Sequence, residues 1–337
     1  MKKLIALFLI LLIGVATYLG LDIYQKVYKP YKGYPQKITL EIPKGSPVSA
    51  IGSMLFEKKI ISSYSYFMLY YKLFHKDTPL KSGEFEFDSP LTMKQVIEKL
   101  HKGKVKLYKI TIKEGMTIWE TADYLEQNHG ISAAKFLKAA KNSSLIKDLD
   151  PKADDLEGYL CPDTYMVVKG TSAEELVSLM VRKFKEYFSN SMKWRARDIG
   201  MNVREIVTLA SLIEKETSSR DERFLISSVF HNRLRIGMPL GCDPTVIYAL
   251  KRENQYTGKI RWKDLKFDSP YNTRINRGLP PGPICSPGFA SIEASLFPEN
   301  TRYLYFVSKD GRTHYFSRTL KEHNRAVQKY IINRKHN

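Results

Sequence analysis

The chain opens with an uncharged run from Leu4 to Leu21, and that run restricts the architectures open to everything after it. Its 18 residues are interrupted only by Gly14, Thr17, Tyr18 and Gly20. About 20 apolar residues rising ~1.5 Å each cross the hydrocarbon layer as a helix, so the run is close to spanning length. Lys2 and Lys3 precede it, and a basic flank stays on the cytoplasmic side. The expectation is a single-pass anchor over residues 1–25, N-terminus inside, with everything after Asp22 exported. Lys26, Lys29 and Lys32 on the far flank oppose that orientation. A cleaved leader is the rival reading, but the run is long for one and no small-x-small cleavage site follows.

The remainder of the 337 residues must fold in water, and with 43% hydrophobic and 12% aromatic residues it has material for more than one core. Lys and Arg number 54 against 35 Asp and Glu, a net charge of +19 that calls for an acidic partner: anionic lipid, nucleic acid or a carboxylate-bearing polymer. The basic residues are dispersed, and no helix-turn-helix, zinc-finger or RNA-binding signature occurs, so nucleic acid is not the expected partner. Three cysteines are too few for a disulfide framework; a Cys161–Cys242 bridge is conceivable and not expected. Seven histidines lack any ligand spacing, so neither metal nor cofactor is expected.

Residues 26–36, rich in Tyr, Lys and Pro, read as a spacer. A pattern then occurs twice, as "KITLEIPKGSPVSAIGSMLFEKKIIS" from Lys37 and "YKITIKEGMTIWETADYLEQNHGIS" from Tyr108. Each copy is an alternating strand, a Gly turn and an amphipathic helix, with Val48, Ile51 and Leu55 or Ile118, Ala122 and Leu125 at helical spacing. The unit resembles half of a LysM-type α+β module, which implies glycan binding; a spacer or dimerisation role fits equally well. A further helix is predicted from about Thr92 to Leu100. Residues 37–151 form this repeat region, and "DDLEGYLCPDTY" (Asp154–Tyr165), with Gly158 and Pro162, reads as a hinge.

In residues 152–337, helices are predicted from about Ser172 to Tyr187 and from about Val203 to Lys215. Ser219-x-x-Glu222 reads as a capping box opening a helix that Gly237 and Pro239 end. "YLYFVSKDGRTHYFS" reads as a hairpin, followed by a helix from about Thr319 to Ile332. The fold class is α+β: a transmembrane helix, the LysM-like module, and a mixed helical and β-hairpin domain.

The stretch "LASLIEKETSSRDER" places Glu214 and Glu216 directly behind an apolar helix. Advancing about 100° per residue from Val203, Ile206, Val207, Ala210 and Ile213 fall within roughly 80°, Glu214 returns to about 20°, and Glu216 lands about 140° away. Leu209 and Leu212 make the helix apolar nearly all round, but Glu214 is the carboxylate placed toward the interior. Desolvation disfavours a carboxylate's charge, and a Glu kept protonated can donate to a leaving oxygen, as cleavage of a glycosidic bond requires. A structural ion pair with Arg233 or Arg235 satisfies the same periodicity.

"LEGYLCPDTY" (Leu156–Tyr165), "LASLIEKET" (Leu209–Thr217), "VFHNRLRIGMPLGCDPTVIYAL" (Val229–Leu250), "SPYNTRINRGLPPGPICSPG" (Ser269–Gly288) and "YLYFVSKDGRTHYFSRTLKEHN" (Tyr303–Asn324) together resemble the YceG-like family of endolytic murein transglycosylases, also called MltG. The resemblance covers essentially the whole chain. It implies a bacterial inner-membrane enzyme, anchored through residues 4–21, whose exported catalytic domain cuts nascent peptidoglycan. The bond implied is the β-1,4 link from N-acetylmuramic acid to N-acetylglucosamine, leaving a 1,6-anhydro end. The family's catalytic glutamate maps to Glu214. Asn232, Asp243, Tyr271, Asn272 and Asn324 stand in or beside the matching motifs as substrate-binding candidates, and Asp243 and Asn272 could equally cap turns. Glu157 and Asp163 could line the cleft, with turn roles as the alternative. Glycan strands are the implied partner, with peptidoglycan synthases a further candidate. Cys161, Gly241, Cys242, Arg274 and Ser286 depart from the family pattern. A non-catalytic wall-glycan scaffold and a hydrolase in which Asp243 or Glu157 positions water are the competing readings.

Overall fold

The computed structural model describes residues 2–103 and 105–333. The chain divides into two compact units, Met1–Lys109 with Tyr165–Thr171, and Ile110–Thr164 with Ser172–Asn337.

The first unit begins with α1 (Lys2–Ile23). Leu7, Leu11, Leu12 and Tyr18 are exposed along it, and Leu7–Tyr28 is long and apolar enough to cross a membrane. A wider helical turn, Tyr24–Tyr28, follows and buries Val27. Next come β1 (Ile38–Ile42), α2 (Val48–Glu57), α3 (Tyr64–Phe74), β2 (Gly83–Phe87) and α4 (Met93–Lys102). β1 and β2 pair antiparallel with Leu40 opposite Phe85. The period-2 alternation of β1 turns Leu40 and Ile42 inward, where they meet Leu55, Phe67, Phe85, Val96 and Leu100. Thr92 and Gln95 close a capping box on α4.

β3 (Leu107–Thr111), α5 (Ile118–His129), α6 (Ala133–Ala140) and β4 (Thr164–Val168) repeat the order strand, helix, helix, strand, and β3 pairs with β4. A boundary near Pro151 is not where the compact units divide: α5 and α6 belong with the second unit. The physical reason is that α6 packs on α7 (Ala173–Tyr187), and the Leu156 N–H donates to the Ala140 carbonyl at 2.9 Å.

The rest of the second unit comprises α8 (Asn190–Asp198), α9 (Val203–Glu216), α10 (Arg223–Arg235), α11 (Asp243–Arg252), α12 (Phe289–Leu296), strands β5 (Tyr305–Ser308) and β6 (His314–Ser317), and α13 (Leu320–Val327). β5 and β6 pair antiparallel. Everything from Ile206 to Ile213 is buried, so α9 is the central helix, with α10, α11 and α12 packed around it. That all-round burial is what an all-round apolar helix requires. Asn202 and Glu205 form the capping box that starts it. The capping box predicted from Ser219 does not form. α10 starts at Arg223 without a side-chain cap, because the Glu222 carboxylate instead accepts the His314 N–H at 2.8 Å and pairs with its Nδ1 at 2.7 Å.

Candidate active site at the end of α9

α9 carries Glu214 in its last turn, and that side chain is only 7% exposed. The neighbours are polar: Glu214 Oε2 accepts the backbone N–H of Gly288 at 3.0 Å and the Ser291 hydroxyl at 2.7 Å, and Oε1 accepts Arg223 Nη2 at 3.2 Å. Gly288 is the N-cap of α12 and Ser291 lies in its first turn, so Glu214 closes the N-terminus of that helix, where orphan donors and the positive end of the dipole meet it. The setting is polar where an apolar one was expected: donors reach the carboxyl group from three sides. The ion pair also forms with Arg223, the first residue of α10, and not with Arg233 or Arg235. Arg233 donates to the Leu240 and Leu304 carbonyls, and Arg235 to Asn232 Oδ1.

The Pro-rich loop before α12 is tied to α9 through Ser211. Its hydroxyl accepts the Ile284 N–H at 3.0 Å while donating to the Thr208 carbonyl at 2.7 Å. The loop in turn pins the Lys-Glu-Gly turn after β3, where Gly115 N–H donates to Ser286 O at 2.8 Å and Ser286 N–H to Met116 O at 2.9 Å. Gly115, at φ +76°, turns the chain in the left-handed region, and a β-carbon there would touch Glu214 Cγ at 3.5 Å. Together these segments border an open cavity of about 430 Å³ lined by Glu114, Gly115, Glu214, Lys215, Ser218 and Arg223.

Three further carboxylates matter. Burial, and next the negative charge of Glu214, push the Glu114 carboxyl up from its ordinary value, against Arg223 and Arg220. Burial raises Glu216 as well, beside the Cys242 thiol. Glu157 is pushed up to about 8 by burial, opposed by the Ile118 N–H that it accepts at 3.2 Å. Among the described residues no cluster of three or more His, Cys, Asp or Glu could hold a metal.

The profile of the YceG-like family matches residues 40–329. The chain belongs to the YceG-like family. The endolytic murein transglycosylase of Bacillus subtilis is 34% identical over 337 aligned residues, covering 95% of this chain and 91% of that protein. The endolytic murein transglycosylase of Streptococcus pneumoniae serotype 2 is 30% identical over 87% of this chain, which spans 58% of that longer protein. A 2.6 Å crystal structure of a YceG-like protein from Listeria monocytogenes superposes with a TM-score of 0.58 at 39% identity, covering 86% of this chain and 98% of that one.

In this YceG-like chain the five residues proposed beside Glu214 occupy varied places, and none lines the cavity at Glu214. Asn232 is buried and donates to the Thr301 and Tyr303 carbonyls at 3.0 and 2.9 Å, holding the lead into β5. Asn272 is fully buried; its amide donates to the Leu265 and Phe267 carbonyls and its oxygen accepts the Arg274 N–H. Both asparagines thus bond to backbone groups. Asp243 opens α11 and pairs with Arg274. Tyr271 accepts from Arg252 at 3.0 Å and packs its ring 5.0 Å from Tyr248. Asn324 is exposed on α13. Asp163 accepts the Tyr187 hydroxyl and pairs with Lys183. Cys161, Cys242 and Cys285 are buried. Sequence reasoning missed Arg223, Gly288, Ser291 and Glu114; only the Lys-Glu-Gly turn carried any local signal.

Proposed function

We propose that this chain is a membrane-anchored endolytic lytic transglycosylase that cleaves the β-1,4 bond between N-acetylmuramic acid and N-acetylglucosamine in peptidoglycan, with Glu214 as its acid and base. The names of its relatives and its family membership support the reaction class. The apolar N-terminal helix supports anchoring, with the N-terminus inside and the catalytic unit outside. The net charge of +19 suits a polymer bearing peptide carboxylates. The observation that carries the assignment to Glu214 is the asymmetry of its carboxylate. Oε2 is engaged by two donors from α12, whereas Oε1 has only Arg223 and belongs to a side chain lining an open cavity.

In the reaction, Glu214 enters protonated and gives its proton to the glycosidic oxygen as the bond from that oxygen to muramyl C1 breaks. The muramyl C6 hydroxyl attacks C1, forms the C1–O6 bond and returns its proton to Glu214. The carboxyl ends as it began, and no water is consumed. A nucleophile tethered to the reacting sugar replaces the water and second carboxylate of an ordinary glycosidase, because intramolecular placement can supply about 7–11 kcal/mol of the barrier. Ser291 and Gly288 hold the carboxylate in place, and Arg223 must yield Oε1 to substrate. The two strand–helix–helix–strand segments, LysM-like in order, serve to hold the glycan.

The test is digestion of purified peptidoglycan by the full chain in detergent, in ¹⁸O-labelled water, with mass spectrometry of the new ends. Anhydro ends free of label are expected. Labelled reducing ends would indicate a hydrolase, and intact strands that still bind the protein would indicate a scaffold.

A further inference from the structure

Glu114 lies outside every motif that pointed to the site, yet its carboxylate shares two partners with Glu214. Arg223 Nη2 is 3.2 Å from Glu214 Oε1 and 3.7 Å from Glu114 Oε2, so the sum of those distances caps the separation of the two oxygens. Gly288, whose N–H donates to Glu214, is also the residue against which Glu114 rests: a β-carbon there would overlap the Glu114 carboxylate. The turn that carries Glu114 is fixed by the paired Gly115, Ser286 and Met116 bonds and by Lys215 Nζ, which donates to Gly115 O at 3.1 Å. Backbone contacts thus place the turn from which the Glu114 side chain reaches Arg223. Arg223 is buried, and its Nε has no partner among the described residues.

We propose that Glu114 is a positioning residue for Glu214, sharing Arg223 so that this guanidinium is never committed to Glu214 alone and the two carboxylates together hold the one proton the reaction needs. The proposal rests on the transglycosylase reading. An isolated Glu214–Arg223 pair is already neutral, and a proton entering it would leave a buried positive charge. Two carboxylates on one guanidinium carry a net negative charge, and a single proton neutralises the cluster. The same site then delivers that proton to the glycosidic oxygen and accepts one back. Lys215 and Arg220 oppose this effect from α9 and the segment before α10, and burial of Glu114 reinforces it. On its other side Glu114 lines a second cavity, of about 300 Å³, where Cys161, Asp163 and Tyr187 are the titratable groups facing it. Asp163 is held there by Lys183 and by the Tyr187 hydroxyl.

Glu114 is half exposed, so replacing it leaves the fold intact. The experiment compares the full chain in detergent with Glu114→Gln and Glu114→Asp. One arm is the pH profile of kcat/KM on peptidoglycan. The other, independent of turnover, is the ¹³C-carboxyl titration of Glu214 by NMR, with the signal assigned by its loss in Glu214→Gln. In Glu114→Gln the alkaline limb of the profile moves to lower pH by about half a unit or more, as expected for removal of a partly screened like charge. The Glu214 carboxyl moves in the same direction, and Glu114→Asp, which keeps the charge, retains most of the wild-type behaviour. An unmoved Glu214 titration in Glu114→Gln overturns the proposal, as does an equal displacement in both variants. Wild-type protein that yields no product overturns the transglycosylase reading instead, and the NMR arm still decides whether the two carboxylates are coupled.

Discussion

Replacing Glu157 by Gln should remove a pH dependence of stability that the fold builds in. The carboxyl is fully buried; Oε2 accepts Ile118 N–H at 3.2 Å and Tyr248 OH at 3.4 Å, and Oε1 has no partner among the described residues. Burial pushes it from 4.5 to about 8, so between those values the folded chain keeps a proton that the unfolded chain has released. Stability tied to this group is therefore fully present below the unfolded value, falls as pH rises to about 8, and is flat above. The slope is about 1.4 kcal/mol per pH unit. For a unit of this size that corresponds to ~3–6 °C of melting temperature per pH unit. Gln reproduces the neutral side chain and its acceptor oxygen, so the variant lacks this component and is the more stable protein at pH 8, while the two coincide near pH 4.5. Glu216 and other groups contribute equally to both proteins and cancel in the difference. Thermal melts of the full chain and Glu157→Gln from pH 5 to 9 provide the check. Parallel curves would refute the reasoning, showing that Glu157 is either hydrated or ionised in the fold.

Three other perturbations follow from the same structure. Asn272→Ala leaves two carbonyls and the Arg274 N–H without their partner and should cost about 2–4 kcal/mol in a melt; undiminished stability with weakened glycan binding would restore its sugar-binding role. Asp150 accepts Arg204 Nη1 and Tyr159 OH, both at 2.7 Å, so Asp150→Ala leaves a largely buried guanidinium unpaired and should lose about 3 kcal/mol or more, with Asp150→Ala/Arg204→Met recovering part of it in the same assay. Gly288→Ala displaces the Glu114 carboxylate, a flexible side-chain end, so we expect a melting temperature near wild type together with slowed peptidoglycan cleavage.

Helix α9 was legible because its signals are local: an apolar stripe and a glutamate returning to the stripe's angle. The wheel failed for Glu216 because it measures one helix against one face, whereas α9 is covered on all sides and both glutamates meet protein. Partners of Glu214 were illegible for a different reason. Gly288 and Ser291 lie 74 and 77 residues away in sequence, and only the packing of α12 on α9 brings them there. The motif asparagines had two physical uses open to them, and sequence carries nothing that separates a buried backbone clamp from a sugar contact. The repeat is a statement about pattern, while the compact units follow from packing such as that of α6 on α7.

The claim on which the account rests is that Glu214 moves the proton. The most direct measurement is the rate of new strand ends formed from peptidoglycan by full-length Glu214→Gln, beside its melting temperature. Gln keeps an oxygen for the α12 donors, so the account predicts stability within about 1–2 kcal/mol of wild type and a rate lower by about 10²–10⁴-fold or more. Anhydro ends appearing at the wild-type rate would contradict it.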